Sequence, residues 1–428
     1  MLNFKYIMET SRIPGFYKLS VTERLKIIAE YASLTNEEVE ALSNFGNLGA
    51  ELADRMIENV IGGITYPFAV AVNFLINNRD YIVPMVIEEP SVVAAASNAA
   101  RITRSKGGIQ TSSTDPLMIG QIQLVNVKDP WGKRALILEH KDELLKIANE
   151  QDPVLVSLGG GARDLEVRVL DTLKGPMVIT HLIVDVRDAM GANTVNTMVE
   201  AIAPYIEELT NGKVYLRIIS NLPDKRIVRA KVIVDKKELG GEDIVDRIVS
   251  AWAFAAVDPY RAVTHNKGIM NGIIAVALAT AQDHRAIEAG AHAYAARNGK
   301  YTTLTTWEKN EDGDLVGVLE LPIPVGIVGG AIKTHPIARI ALKILKVKTA
   351  RELGEVMGAV GLVQNLAALR ALVTEGIQKG HMKLHARNLA IMAGAKGEMI
   401  DRVVEAMIGE GKIRFDRAKE IVRKLSGK

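Results

Sequence analysis

Fifteen residues near the middle of the chain, Asp258-Pro-Tyr-Arg-Ala-Val-Thr-His-Asn-Lys-Gly-Ile-Met-Asn-Gly272, constrain what this sequence can fold into more than any other stretch. They carry Arg261, Thr264, His265, Asn266, Lys267 and Asn271, with glycines at 268 and 272, between two core-like runs, Ile244–Val257 and Ile273–Ala281. Burying one such polar group without a partner costs about 2 kcal/mol or more. A core built from the flanking runs must therefore leave the stretch wet or supply it with partners. Two readings stay open: a polar loop joining two core elements, or a positively charged site floor with Arg261 and Lys267 aimed at an anionic or carbonyl oxygen.

A chain of 428 residues exceeds what one core supports, so two or three domains are expected. Hydrophobic residues at 48% and charged residues at 24% are globular proportions. The uncharged run Ile273–Ala281 is too short to span a bilayer, and the N-terminus lacks the pattern of a secretory signal. A cytoplasmic protein without a membrane partner is the expectation. The net charge of +3, from 53 basic and 50 acidic residues, argues against a nucleic-acid partner. The chain has no cysteine, which excludes disulfides, zinc–thiolate sites and cysteine nucleophiles. No G-x-G-x-x-G, Walker A or G-x-S-x-G motif occurs, so any dinucleotide is held by other means than the Rossmann turn.

In chain order, helices are expected over Ser20–Ser33, Thr35–Phe45 and Leu48–Asn59, then a hairpin over 66–87 turning at Asn77-Asn78. Glu88-Glu89-Pro90-Ser91 opens a helix of small residues, Val92–Arg104, where one glutamate can cap while the other faces a pocket as a proton donor. From 115 to 222 the order β-α-β-β-α-β suggests a ferredoxin-like unit. Its turn Asp188-Ala-Met190-Gly191-Ala192-Asn193 feeds a helix N-terminus, and reads either as an ordinary turn or as a pyrophosphate site. Asp283 opens the helix His284–Arg297 as a cap. The run Leu321–Pro336 reads as extended chain with tight turns, and helices follow over Pro336–Ile344, Thr349–Thr374 and Leu384–Ala393. His381 and His385, four apart after Gly380, suit a general acid better than a metal site, so no metal is expected.

Six stretches together, Glu58–Gly62, Glu88–Ser97, Asp185–Asn196, Asp258–Gly272, Glu288–Tyr294 and Gly380–Asn388, make the chain resemble the soluble, class II 3-hydroxy-3-methylglutaryl-CoA (HMG-CoA) reductases. The resemblance runs through nearly the whole chain. It implies an α+β fold: a large helix-rich substrate domain (1–114 and 223–376), an inserted ferredoxin-like, non-Rossmann dinucleotide-binding domain (115–222) and a small mobile C-terminal helical module (377–428). The implied reaction is the four-electron interconversion of HMG-CoA with mevalonate and CoA, using two NAD(P)H and passing through a hemithioacetal and mevaldehyde.

The same resemblance distributes roles. Lys267 is placed at the thioester carbonyl oxygen, Glu89 as the acid that protonates the aldehyde-level oxygen, Asp283 between the two, and His381 as the proton donor to the departing CoA thiolate. Arg261, Ser91, Asn271 and Thr264 are assigned to the HMG part of the substrate, with Arg261 on its free carboxylate. Asp188, Met190, Gly191, Ala192 and Asn193 are assigned to the cofactor. Asp152 falls where NADH-preferring members carry a carboxylate, which suits a ribose 2′-OH and repels a 2′-phosphate, so NADH is expected over NADPH. A homodimer or larger homo-oligomer with the site at the subunit interface is also implied. The alternatives are another NAD(P)-dependent acyl-CoA oxidoreductase, or a non-catalytic CoA- or nucleotide-binding protein.

Overall fold

The computed structural model describes residues 18–426 apart from 33, 47 and 375, and only the backbone of 31, 32, 41 and 377–384. It opens with α1 (Val21–Ala32), α2 (Asn36–Ser43) and α3 (Ala50–Met56). Reciprocal caps start the first two. Ser20 N–H donates to Glu23 and Glu23 N–H to the Ser20 hydroxyl, while Thr35 and Glu38 repeat the exchange. Strands β1 (Phe68–Ile76) and β2 (Arg79–Val86) form the expected hairpin, and Asn77 and Asn78 turn it with φ of 48° and 62°. Then come α4 (Val92–Thr103) and β3 (Ile109–Ser113).

The next stretch forms a second sheet from β4 (Leu117–Val125), β5 (Gly161–Thr172), β6 (Gly175–Asp185) and β7 (Lys213–Ile219). Between β4 and β5 lie α5 (Pro130–Glu139), α6 (Lys141–Asn149) and α7 (Pro153–Ser157), and α8 (Ala192–Thr210) precedes β7. The strand order β5-β6-β4-β7, antiparallel throughout, is the ferredoxin-like arrangement. Its core is separate, built on residues such as Ile122, Leu124, Leu182, Met198 and Ile202. Helices α5 and α7 were not anticipated. Each begins with an aspartate cap, Asp129 or Asp152, followed by proline at the first helical position.

The chain returns as β8 (Ile227–Val234), α9 (Lys236–Leu239), α10 (Glu242–Val257), α11 (Pro259–Ala279) and α12 (His284–Ala295). Then follow β9 (Thr305–Lys309), β10 (Leu315–Pro322), α13 (Gly330–Thr334), α14 (Pro336–Leu345) and α15 (Ala350–Val373). The larger sheet has the order β2-β1-β3-β8-β10-β9. Strands β3 and β8 pair antiparallel, Ser113 opposite Val228, so the second unit leaves from one strand of this sheet and re-enters on its neighbour.

The stretch Asp258–Gly272 is not a loop: it forms most of α11. Asp258 caps the helix by accepting from Arg261 N–H at 2.8 Å, and Pro259 takes the first helical position. Residues 261, 264, 265, 268, 271 and 272 therefore share one side of the helix. That side meets α15, and the two helices run antiparallel: a Cβ on Gly272 would lie 3.0 Å from Val360 Cγ1 and 3.1 Å from Gln364 Cβ, while position 268 faces Ala368. Helix α15 is long and apolar enough to cross a membrane by length and composition, but two-thirds of its most apolar window is buried inside the fold. Helices α16 (Ile377–Met392), α17 (Glu398–Gly409) and α18 (Phe415–Leu425) pack around their own cluster, including Leu389, Val403, Met407 and Ile421.

Candidate active site

A cavity of about 770 Å³ lies between the start of α4, the polar side of α11 and the second half of α15. That is the size of a small-molecule site. Glu89 and Ser91 reach it from the turn before α4, and Arg261, Thr264, Lys267 and Asn271 from α11. Residues nearly two hundred positions apart are thus brought together.

Lys267 Nζ donates to Glu89 Oε2 at 2.7 Å, and Asn271 Nδ2 approaches the same oxygen at 3.5 Å. Neither glutamate of the Glu88-Glu89 pair accepts a bond from the first turn of α4 among the described residues, so the capping reading does not hold. The N-cap is Ser91, with φ of 74° and no side-chain cap bond. A left-handed serine is an uncommon and strained conformation that functional sites tolerate. Here the Ser91 side chain makes no cap bond to the helix, and Ser91 lines the cavity.

Arg261 is half-buried, and burial lowers its guanidinium from the usual value. Neither its side chain nor that of Arg370, another cavity residue, has a carboxylate partner among the described residues. With Lys267 and Glu89 offsetting each other, the cavity keeps an excess of positive charge and suits an anionic ligand. Thr264 donates back to Tyr260 O at 3.3 Å.

Asp283 does not join the Lys267–Glu89 pair. Its carboxylate accepts from Ala286 N–H at 3.1 Å, as the cap of α12, and lies 3.1 Å from Arg285 Nη2. The physical reason is local: a carboxylate one residue before a helix is drawn to the free N–H groups of the first turn. His381 lies on α16, but its side chain falls outside the described residues.

The cofactor candidates gather elsewhere. Asp152 caps α7 by accepting from Leu155 N–H at 2.9 Å, and its other oxygen lies 3.3 Å from the Thr194 hydroxyl in the first turn of α8. Residues far apart in sequence thus converge on one helix N-terminus. Gly191 precedes that helix with φ of 101°, and a Cβ there would strike Val186 at 2.5 Å. Ala192 and Asn193 open α8, where helix N–H groups have no acceptor within the helix and could hold a phosphate oxygen. Asp188 turns away from this end: it accepts from Ala350 N–H at 2.7 Å, at the start of α15.

Sequence reasoning missed Arg226. It is 5% exposed and donates to Ala189 O and Met190 O, each at 3.3 Å, and to Val325 O. It thereby ties the turn before α8 to the chain just beyond β10. Gln364, Asn365 and Arg370 on the cavity wall were also missed. Their signal was available: two adjacent amides and an arginine interrupt a long apolar helix.

The family model for hydroxymethylglutaryl-coenzyme A reductase matches residues 20–386. The 3-hydroxy-3-methylglutaryl-coenzyme A reductase of Archaeoglobus fulgidus is 61% identical over 416 residues, covering 97% of this chain and 95% of that protein. The probable reductase of Borreliella burgdorferi is 33% identical, covering 98% and 96%. Among solved structures, the class II reductase of Streptococcus pneumoniae bound to NADPH in open conformations aligns with a TM-score of 0.76 and 40% identity, over 95% of this chain and 100% of that one. These findings define the class as an oxidoreductase that uses a nicotinamide dinucleotide. The chain belongs to the hydroxymethylglutaryl-coenzyme A reductase family, within its class II.

Proposed function

We propose that the protein interconverts HMG-CoA with mevalonate and CoA in two two-electron steps. The observation that carries this reading is the Lys267–Glu89 pair, at 2.7 Å, inside a cavity whose other charged groups, Arg261 and Arg370, have no carboxylate partner among the described residues. Arg261 forks onto the free carboxylate of the acyl chain. Ser91 holds the acyl part from the opposite wall, Asn271 holds it from the same helix as Arg261, and Thr264 shapes it. Lys267 presents its ammonium to the thioester oxygen as negative charge develops there. Glu89 delivers the proton that the aldehyde-level oxygen requires. When bound, the reduced nicotinamide cofactor supplies the hydrides.

One role rests on the family resemblance alone: His381 as the acid that meets the CoA thiolate. Asp152, beside Thr194, supports NADH over NADPH, because a carboxylate accepts from a ribose hydroxyl and repels a phosphate. A dimer or larger homo-oligomer is supported by Phe254, Val257, Tyr260 and Val263, all exposed along the α10–α11 junction, with Tyr260 at 89%.

Mixing the protein with mevalonate, CoA and NAD+ or NADP+ should generate reduced nicotinamide, and HMG-CoA should consume it. No absorbance change with either cofactor in either direction refutes the reading.

A further inference from the structure

His265 lines the cavity, is 2% exposed, and leaves Nδ1 buried without a partner among the described residues. The state of this ring follows from a chain of hydrogen bonds. Trp307 Nε1 can only donate, and it lies 2.7 Å from Asn365 Oδ1, which fixes the orientation of that amide. The Thr305 hydroxyl donates to the same oxygen at 3.0 Å, so its single proton is used. His265 Nε2, 2.6 Å from the Thr305 oxygen, must therefore be the donor. An imidazole with its proton on Nε2 leaves Nδ1 as a bare acceptor. Burial and the nearby Arg261 push the imidazolium pKa down to about 3, so the ring stays neutral near neutral pH.

The order of groups along α11 says what this acceptor meets. Arg261 and Lys267 lie about 9 Å apart along the helix axis at about 1.5 Å per residue. If they hold the carboxylate and thioester ends of the acyl chain, its middle carbon lies level with residues 264 and 265 along the helix. In HMG-CoA that carbon bears the tertiary hydroxyl. The Thr264 hydroxyl donates to Tyr260 O instead. We propose that His265 Nδ1 accepts the hydrogen bond of the substrate's C3 hydroxyl and is thereby a specificity-determining residue. Thr305 and Asn365 are positioning residues that hold the required tautomer. This inference rests on the HMG-CoA reading of the cavity.

The test compares kcat/KM for HMG-CoA and for 3-methylglutaryl-CoA, the same acyl chain without the hydroxyl, by following nicotinamide oxidation. In His265→Gln the amide N–H takes the place of Nε2–H toward Thr305, while the Nδ1 acceptor is lost. In His265→Asn an acceptor can return near the Nδ1 position. The wild-type protein should prefer HMG-CoA by about 100-fold or more; the Gln variant should lose about tenfold or more of that preference, and the Asn variant should recover part of it. Parallel loss on both substrates, or an unchanged preference, overturns the proposal.

Should neither variant fold, 15N spectra of the wild-type histidine rings decide. A buried ring, neutral to the lowest pH, should show a bare Nδ1 whose resonance moves on mevalonate binding. A protonated Nδ1 or an unmoved resonance overturns the proposal. A wild-type protein inactive on HMG-CoA and mevalonate refutes the functional reading instead, and so is distinguishable.

Discussion

Replacing Arg226 by methionine should weaken the protein and its hold on the cofactor together. The guanidinium is 5% exposed and donates to three backbone carbonyls, two of them, Ala189 O and Met190 O, in the turn before α8. Burial lowers its pKa to about 10, with Asp185 and Asp188 acting in the opposite direction, so it remains charged at neutral pH. Methionine fills much of the volume but leaves three carbonyls without this donor and removes one positive charge near Asp185 and Asp188. Removing one partner of such a buried charged network costs about 3–5 kcal/mol. Urea unfolding followed by circular dichroism should show this as a lower midpoint. Steady-state kinetics should show KM for the nicotinamide cofactor rising severalfold while KM for HMG-CoA changes little, because the cavity residues lie on α4, α11 and α15. A variant within about 1 kcal/mol of wild type, with unchanged cofactor KM, refutes the argument that this arginine aligns the turn.

Three further outcomes are expected. Glu89→Gln should lower turnover about 100-fold or more in steady-state assays while HMG-CoA binding persists, since it removes a proton donor but keeps the shape. Asp152→Ala should raise kcat/KM with NADPH relative to NADH and cost about 1 kcal/mol in unfolding experiments, as the cap of α7 is lost. His265 contributes to acid sensitivity: its folded pKa, about 3, lies below the ordinary 6.5, so the unfolded chain binds more protons between those values and stability falls as pH falls from about 6.5 toward 3. His265→Gln should flatten that slope in urea midpoints measured across the range.

Much of the fold could be read from local pattern. The alternation in 115–222, with its glycine turns, specifies strands and helices whose partners lie nearby, and the Asn77-Asn78 turn carries its own backbone preference. The site was legible where chemistry is concentrated, at Glu89, Lys267 and Arg261. What escaped was long-range or camouflaged. The polar residues of Asp258–Gly272 hid a helix whose Asp-Pro start was in plain view, because two glycines and six polar groups resemble a loop. Arg226 sits in the run Asp224-Lys225-Arg226, which reads as exposed charge until the fold buries one member. Asp283 was assigned to the pair on resemblance, whereas the nearest free N–H groups claim it in this chain.

The pairing of β3 with β8 has a consequence for how the chain assembles. The two strands are separated in sequence by the whole ferredoxin-like unit, a closure that is slow for an open chain. Yet β4 and β7, the first and last strands of that unit, are hydrogen-bonded neighbours, and Ser220 N–H reaches Ile119 O at 2.7 Å. Once the smaller unit has formed, it delivers its two ends side by side, and Thr114 N–H meets Ile227 O at 2.9 Å. The insertion thus has the form of a clasp: its folded state holds the two ends side by side, which turns a remote encounter of β3 with β8 into a local one.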